Sequence, residues 1–173
     1  PESLSVAKKL NVTAEFSVER TRSHETARPD IVLFVNGIPL TVIECKAPDV
    51  EIEQAVSQSI RNQRDEYIPR LFTYAQLVMG TNKNGAKYAT VGTPAKFWAT
   101  WQERSDKEES VFSLANRPLS NEKKDILFQG EYAAARRFFD TLESEGSRQI
   151  TEQDSTIYSL LRPERFMELS YKF

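Results

Sequence analysis

Residues 29 to 46 read Pro-Asp-Ile-Val-Leu-Phe-Val-Asn-Gly-Ile-Pro-Leu-Thr-Val-Ile-Glu-Cys-Lys, two dense apolar runs joined by an Asn-Gly pair. Apolar runs bounded by turn residues predict strands buried on both faces. The chain must therefore cover both sides of a sheet, which favours an α/β layer arrangement. Three charges stand where these strands end: Asp30 before the first, Glu44 and Lys46 at the close of the second. A charge at the margin of a buried strand costs stability unless it has a partner or a task.

Around this hairpin the pattern is mixed. Residues 1–10 read as the remnant of a helix, and residues 11–19 alternate as a strand. A polar loop with Arg20, Arg22, His24 and Arg28 leads into the hairpin. Asp49 is the expected cap of a helix over 51–66, with Ile52, Ala55, Val56 and Ile60 on its apolar face. Gln54, Gln58, Arg61 and Asn62 fall on its other sides. Residues 74–80 and 86–91 form a second strand pair across the Asn82–Gly85 turn. Lys87 there lacks the spacing of a phosphate-binding loop and is read as part of a hairpin. From Pro94 onward the pattern turns helical, with Phe97, Trp98 and Trp101 expected in the core and helices over 131–144 and about 152–172. Pro163 is suited to begin the last of these. The expected division is a core over 1–93 and a mostly helical extension over 94–173, leading onward into a longer protein.

Composition narrows the class. With 39% apolar residues and 28% charged, the chain is an ordinary globular protein. It has no apolar stretch of membrane-spanning length. One cysteine excludes an internal disulfide and fits the cytoplasm, and with a single histidine beside it the chain argues against a zinc site, which normally takes four such ligands. A net charge of −2 is low for a chain that grips nucleic acid unaided.

Whether the three charges work together depends on register. A two-residue turn at Asn36-Gly37 with regular pairing sets Asp30 opposite Ile43 and sends Glu44 to the other face. A three-residue loop with left-handed Gly37 sets Asp30 opposite Val42, and Glu44 becomes its diagonal neighbour on one face with Lys46. Diagonal neighbours lie roughly 7–8 Å apart, close enough for two carboxylates to share an ion. A shared site thus requires the bulged turn or an equivalent bulge elsewhere.

Two carboxylates suit a hard ion such as Mg²⁺, and the Cys45 carbonyl adds an oxygen. Beside them, Lys46 would orient or activate water and offset transition-state charge, the needs of phosphodiester hydrolysis. Asp30 with Glu44-Cys45-Lys46 resembles the PD-(D/E)xK nuclease signature. The longer run Arg28 to Lys46 is similar to the N-terminal nuclease domain of the R subunits of type I restriction-modification enzymes. Ile68-Pro69-Arg70-Leu71-Phe72, Ile150 to Asp154 and Arg162 to Phe173 share the likeness.

The resemblance implies a restriction-endonuclease-like core with a central mixed sheet flanked by helices. Its catalytic residues would be Asp30, Glu44 and Lys46, cutting double-stranded DNA with Mg²⁺. It also implies ATP for the full-length protein, and methyltransferase and specificity subunits as partners that supply the grip on DNA. A Gln-x-x-x-Tyr motif of the family meets Gln58 here, but Asn62 stands where tyrosine is expected. Asn62, Arg28 and Arg61 are candidate DNA contacts, although either arginine could equally pair with one of the 25 acidic residues. The rival readings are a repair or resolvase type nuclease and a catalytically silent docking domain. His24 and Cys45 read as bland, Cys45 as a small core residue.

Overall fold

The apolar hairpin forms the middle of a sheet. The computed structural model describes residues 9–102 and 108–172. Strands β1 (Leu10–Ala14), β4 (Ile31–Val35), β5 (Ile38–Lys46), β6 (Leu77–Asn82), β7 (Gly85–Ala89) and β8 (Ala99–Thr100) form one sheet in the order β1-β4-β5-β6-β7-β8. Only β5 and β6 run parallel; the other pairs are antiparallel. A small ribbon, β2 (Val18–Glu19) with β3 (Thr26–Ala27), stands apart. This is the mixed α/β architecture expected of a restriction-endonuclease-like core.

Helix α1 (Ile52–Asn62) and a 3₁₀ turn (Pro69–Phe72) cover one face, over Val32, Val42 and Val78. Helix α5 (Glu152–Leu161) covers the other, where Leu160 packs with Ile43, Met79 and Ala86. Helices α2 (Glu108–Ala115), α3 (Asn121–Leu127), α4 (Ala135–Ser144) and α6 (Pro163–Lys172) complete the C-terminal part. Pro163 does begin the last helix. A Thr151–Asp154 capping box starts α5.

Several expectations need correction. The helix foreseen at the N-terminus lies mostly outside the described residues, and Leu10 already begins β1. The strand over 11–19 is cut in two, because Glu15 takes a left-handed conformation at φ 47. Helix α1 is shorter than foreseen and starts at an N-cap Glu51 that makes no side-chain bond, so Asp49 is not the cap. Its buried residues are Ala55, Val56, Ser59 and Asn62, so Asn62 belongs to the inner face. Phe97 is 64% exposed, while Trp98 is buried and Trp101 packs on Tyr88.

Two details place α1 over the end of β5. Asn82 and Asn84, in the β6–β7 hairpin, donate their side-chain amides to the carbonyls of Val50 and Pro48, at 3.0 and 3.2 Å. Gly80 then lets the helix come close: a Cβ there would lie 3.1 Å from Ala55 Cβ and from the Val56 nitrogen. Gly80 is the β6 partner of Glu44. Lys87, in the same hairpin, pairs with Glu53 at 2.6 Å.

Candidate active site

The register question has an unexpected answer. Asn36 and Gly37 both take left-handed conformations, at φ 52 and 82, and Val35 pairs with Ile38 across a tight two-residue turn. The expected three-residue loop is therefore absent. The bulge lies instead at Leu40, because Phe34 pairs with Pro39 but Leu33 pairs with Thr41. Pro39 has no N–H to give the ladder, and proline inside a sheet is tolerated at a bulge. From there Ile31 faces Ile43, and the same register sets Asp30 opposite Glu44.

The carboxylates thus share the α1 face at the end of the two strands. Asp30 Oδ2 accepts the Cys45 backbone N–H at 2.6 Å, which ties it across the ladder. Glu44 is fully buried. Its Oε2 accepts from Gln58 Nε2 at 2.6 Å and its Oε1 from Asn62 Nδ2 at 2.7 Å. Positions 58 and 62, one helical turn apart, put both amides on the side of α1 nearest β5. Lys46 donates to Gln58 Oε1. An ammonium can only donate, so that bond fixes the Gln58 amide with its nitrogen toward Glu44.

Electrostatically the site is short of positive charge. Burial and the nearby Asp30 charge push the Glu44 carboxyl up to about 8, against the pull of the Asn62 amide and Lys46. Among the described residues Lys46 makes no ion pair. Burial, with Asp30 and Glu44 close by, likewise pushes the Cys45 thiol up to about 11, and its side chain packs with Ile43 on the α5 face. Such a thiol is a poor nucleophile at neutral pH.

The remaining candidates spread outward. Arg61 lines an open trough beside Lys46 and Gln58. Arg28 is exposed and 3.4 Å from Glu15. Asn62 is 3% exposed and turned to Glu44. His24 is exposed. Apolar periodicity did not reveal the inward turn of Asn62; the signal was a carboxylate at a buried strand position, which requires donors from the covering helix.

Among the described residues no three His, Cys, Asp or Glu side chains gather as a metal cluster. The donor chemistry still suits Mg²⁺, which keeps several waters and takes one or two carboxylates. Two carboxyl groups share one face, and among the described residues neither is bonded to a cation, so their oxygens remain open to such an ion.

The family model of the type I restriction enzyme R protein N terminus matches residues 7–97. A type I restriction enzyme endonuclease subunit (SsaAORF53P) of Staphylococcus saprophyticus is 30% identical over 108 residues, 62% of this chain and 11% of the relative. Another such subunit (SauCOLORF180P), of Staphylococcus aureus, is 34% identical over 80 residues, 46% of this chain and 8% of the relative. A putative one (MjaVIIIP) from Methanocaldococcus jannaschii is 30% identical over 129 residues, 67% of this chain and 12% of the relative. The chain thus spans about a tenth of the length of these relatives. Among the described residues no helix is long and apolar enough to cross a membrane.

Proposed function

Because the chain belongs to the family of type I restriction enzyme R protein N-terminal domains, we propose that this site hydrolyses phosphodiester bonds of double-stranded DNA. The observation behind the reading is that Asp30, Glu44 and Lys46 share one face with Gln58 bridging the last two. In this reading Asp30, Glu44 and the Cys45 carbonyl hold Mg²⁺. When bound, the ion polarises a phosphoryl oxygen and acidifies water.

The chain's own groups do the positioning. The Cys45 N–H keeps Asp30 aimed across the hairpin. Gln58 and Asn62 each use one lone pair of Glu44, leaving others for a ligand. Lys46, tethered by a neutral amide and not by a carboxylate, keeps its charge to orient the attacking water and meet the developing oxyanion. Gln58 sets the distance between lysine and carboxylate, a positioning task. Asn62 has no ring to stack and is engaged with Glu44, so it too acts through the carboxylate.

ATP, in this proposal, serves motor segments of a full-length protein, and methyltransferase and specificity subunits choose where the complex acts. Lys46→Ala in that complex is expected to lower ATP-dependent cleavage at least about 100-fold, the scale of removing one transition-state donor. Mn²⁺ should raise the thermal midpoint of the parent chain but not of Glu44→Gln; saturation at about a hundred-fold over Kd corresponds to about 2.7 kcal/mol. Cleavage that survives Lys46→Ala, with Mn²⁺ binding unaltered, would favour the silent docking domain.

A further inference from the structure

The open trough beside Lys46, about 530 Å³, continues past Gln58 along the outer face of α1 to Ser57, Arg61 and Arg64. The chain as a whole has a net charge of −2. Three cations nevertheless meet here, none of them in an ion pair among the described residues. Among the described residues Arg61 and Arg64 form no ion pair, and Lys46 bonds the neutral Gln58. Glu53, the acidic residue on the trough wall, is bound to Lys87. Asp65 and Glu66, next along the chain from Arg64, line a different depression with Arg22 and Arg70.

Arg61 is also held still. Its guanidinium lies 5.2 Å from the centre of the Tyr67 ring, and that of Arg20 lies 4.6 Å from the same ring. Tyr67 is fixed by its own backbone, donating its N–H to the Arg64 carbonyl at 2.9 Å and accepting from the Thr21 N–H at 2.8 Å. Glu25 answers the charge of Arg20, but no carboxylate answers Arg61 among the described residues. Stacking costs a guanidinium no charge and removes some of its rotational freedom. A cation immobilised without being neutralised is prepared for an anion from outside.

We propose that Arg61, steadied by Tyr67, and Arg64 form a track that seats the phosphodiester backbone of duplex DNA and leads it to Lys46. From Gln58 to Arg61 on α1 is roughly 4.5 Å at a helical rise of about 1.5 Å per residue, and Arg64 lies in the turn just past the helix. The helical part alone is a little more than the axial step of about 3.4 Å between neighbouring phosphates on one strand. The identity of the polyanion rests on the nuclease reading above. The track supplies local grip in a chain whose overall charge opposes it.

The test is the binding of a fluorescent duplex to the 173-residue chain, followed by anisotropy over a salt series in chelator. Arg61→Gln and Arg64→Gln should each flatten the slope of log K against log salt by about one, equally on two unrelated sequences. Tyr67→Phe should keep the parent slope, Tyr67→Leu should move toward Arg61→Gln, and Arg137→Gln on α4 should change nothing. Unchanged slopes in both trough variants overturn the track, as does a parent chain with no salt-dependent binding. So does a loss confined to one sequence, which would mean base reading. Cleavage by the assembled complex separates the two readings. If it survives Glu44→Gln while Arg61→Gln flattens the slope, the track stands and the nuclease assignment falls. If the slopes hold while Glu44→Gln abolishes cleavage, the reverse is true.

Discussion

Glu44 and Lys124 are both buried ionisable groups, and the fold treats them in opposite ways. Lys124 on α3 donates to Asp140 at 2.7 Å and to Glu143 at 2.5 Å, both on α4. Its charge is matched within the chain. Glu44 receives two neutral amides, and the nearest ammonium, Lys46, stops at Gln58. Its lone pairs are partly satisfied, and among the described residues no cation bonds it when it ionises. A buried charge paired with its opposite ties two helices together; one held by amides alone remains open to a cation from solution. The first arrangement suits structure, the second a site.

Breaking the closed pair should cost the most stability. Lys124→Ala leaves Asp140 and Glu143 facing one another, and the thermal midpoint followed by circular dichroism should fall further than in Glu44→Gln or Asn62→Ala. Cleavage per folded molecule should stay at the parent level. A loss of cleavage beyond the loss of folded protein would show that the two regions are coupled.

The two carboxylates Glu44 and Glu143 should next be separable by pH. In metal-free buffer the folded chain holds the Glu44 proton up to about 8, against 4.5 for an ordinary glutamate. Between those values the folded state binds more protons than the unfolded one, so this contribution is full below the lower value and lost as pH rises through the upper. The swing is at most about 1.4 kcal/mol per pH unit. Glu143 runs the other way: the hydrogen bond from Lys124 lowers its pKa, and its contribution is lost as pH falls into the acid range. Urea midpoints measured from about pH 5 to about pH 8 should fall in the parent and flatten in Glu44→Gln. A parent whose stability rises across that window would erase the contrast.

The smallest expected effect sharpens what the amides do. Asn62→Ala leaves Glu44 Oε1 without its donor, at a cost of about 1–3 kcal/mol. Asn62→Asp sets carboxylate against carboxylate and should be worse than alanine. If Asn62→Ala is neutral in thermal melts, the inner turn of α1 is packing and not orientation.

Much of this was legible in the sequence, because density of apolar residues is a strong signal. The buried strands β4 and β5 and the β6–β7 hairpin follow from it, while the Asn36-Gly37 reversal and the start of α6 at Pro163 follow from turn and proline stereochemistry. What escaped was settled by tertiary demand. Pro39 signals a broken ladder in a central strand, but Asn36-Gly37 draws the expected bulge to the turn, where the stereochemistry of an Asn-Gly pair already permits a tight reversal. Asn62 reads as a candidate DNA contact off the apolar face, because apolar periodicity does not register a polar residue that serves a buried acid. Phe97 reads as core beside Trp98, yet the 3₁₀ turn over Ala95–Phe97 presents it outward. The proximity of Gly80 to α1 has no local signature at all, since it comes from the helix above.

The bulge at Leu40 also limits how this hairpin can change length. One residue inserted between Thr41 and Glu44 would rotate the carboxylate onto the side of Ile43, Met79 and Leu160, where no amide waits for it. Two inserted residues would return it to the α1 face but two positions along the strand, opposite Arg28 instead of Asp30. Deleting Leu40 alone would keep Asp30 opposite Glu44 and force Pro39 into an unbroken ladder. Between Thr41 and Glu44 any change of length costs the carboxylate its face or its partner, so tolerance for length change lies at the bulge and not in the strand beyond it.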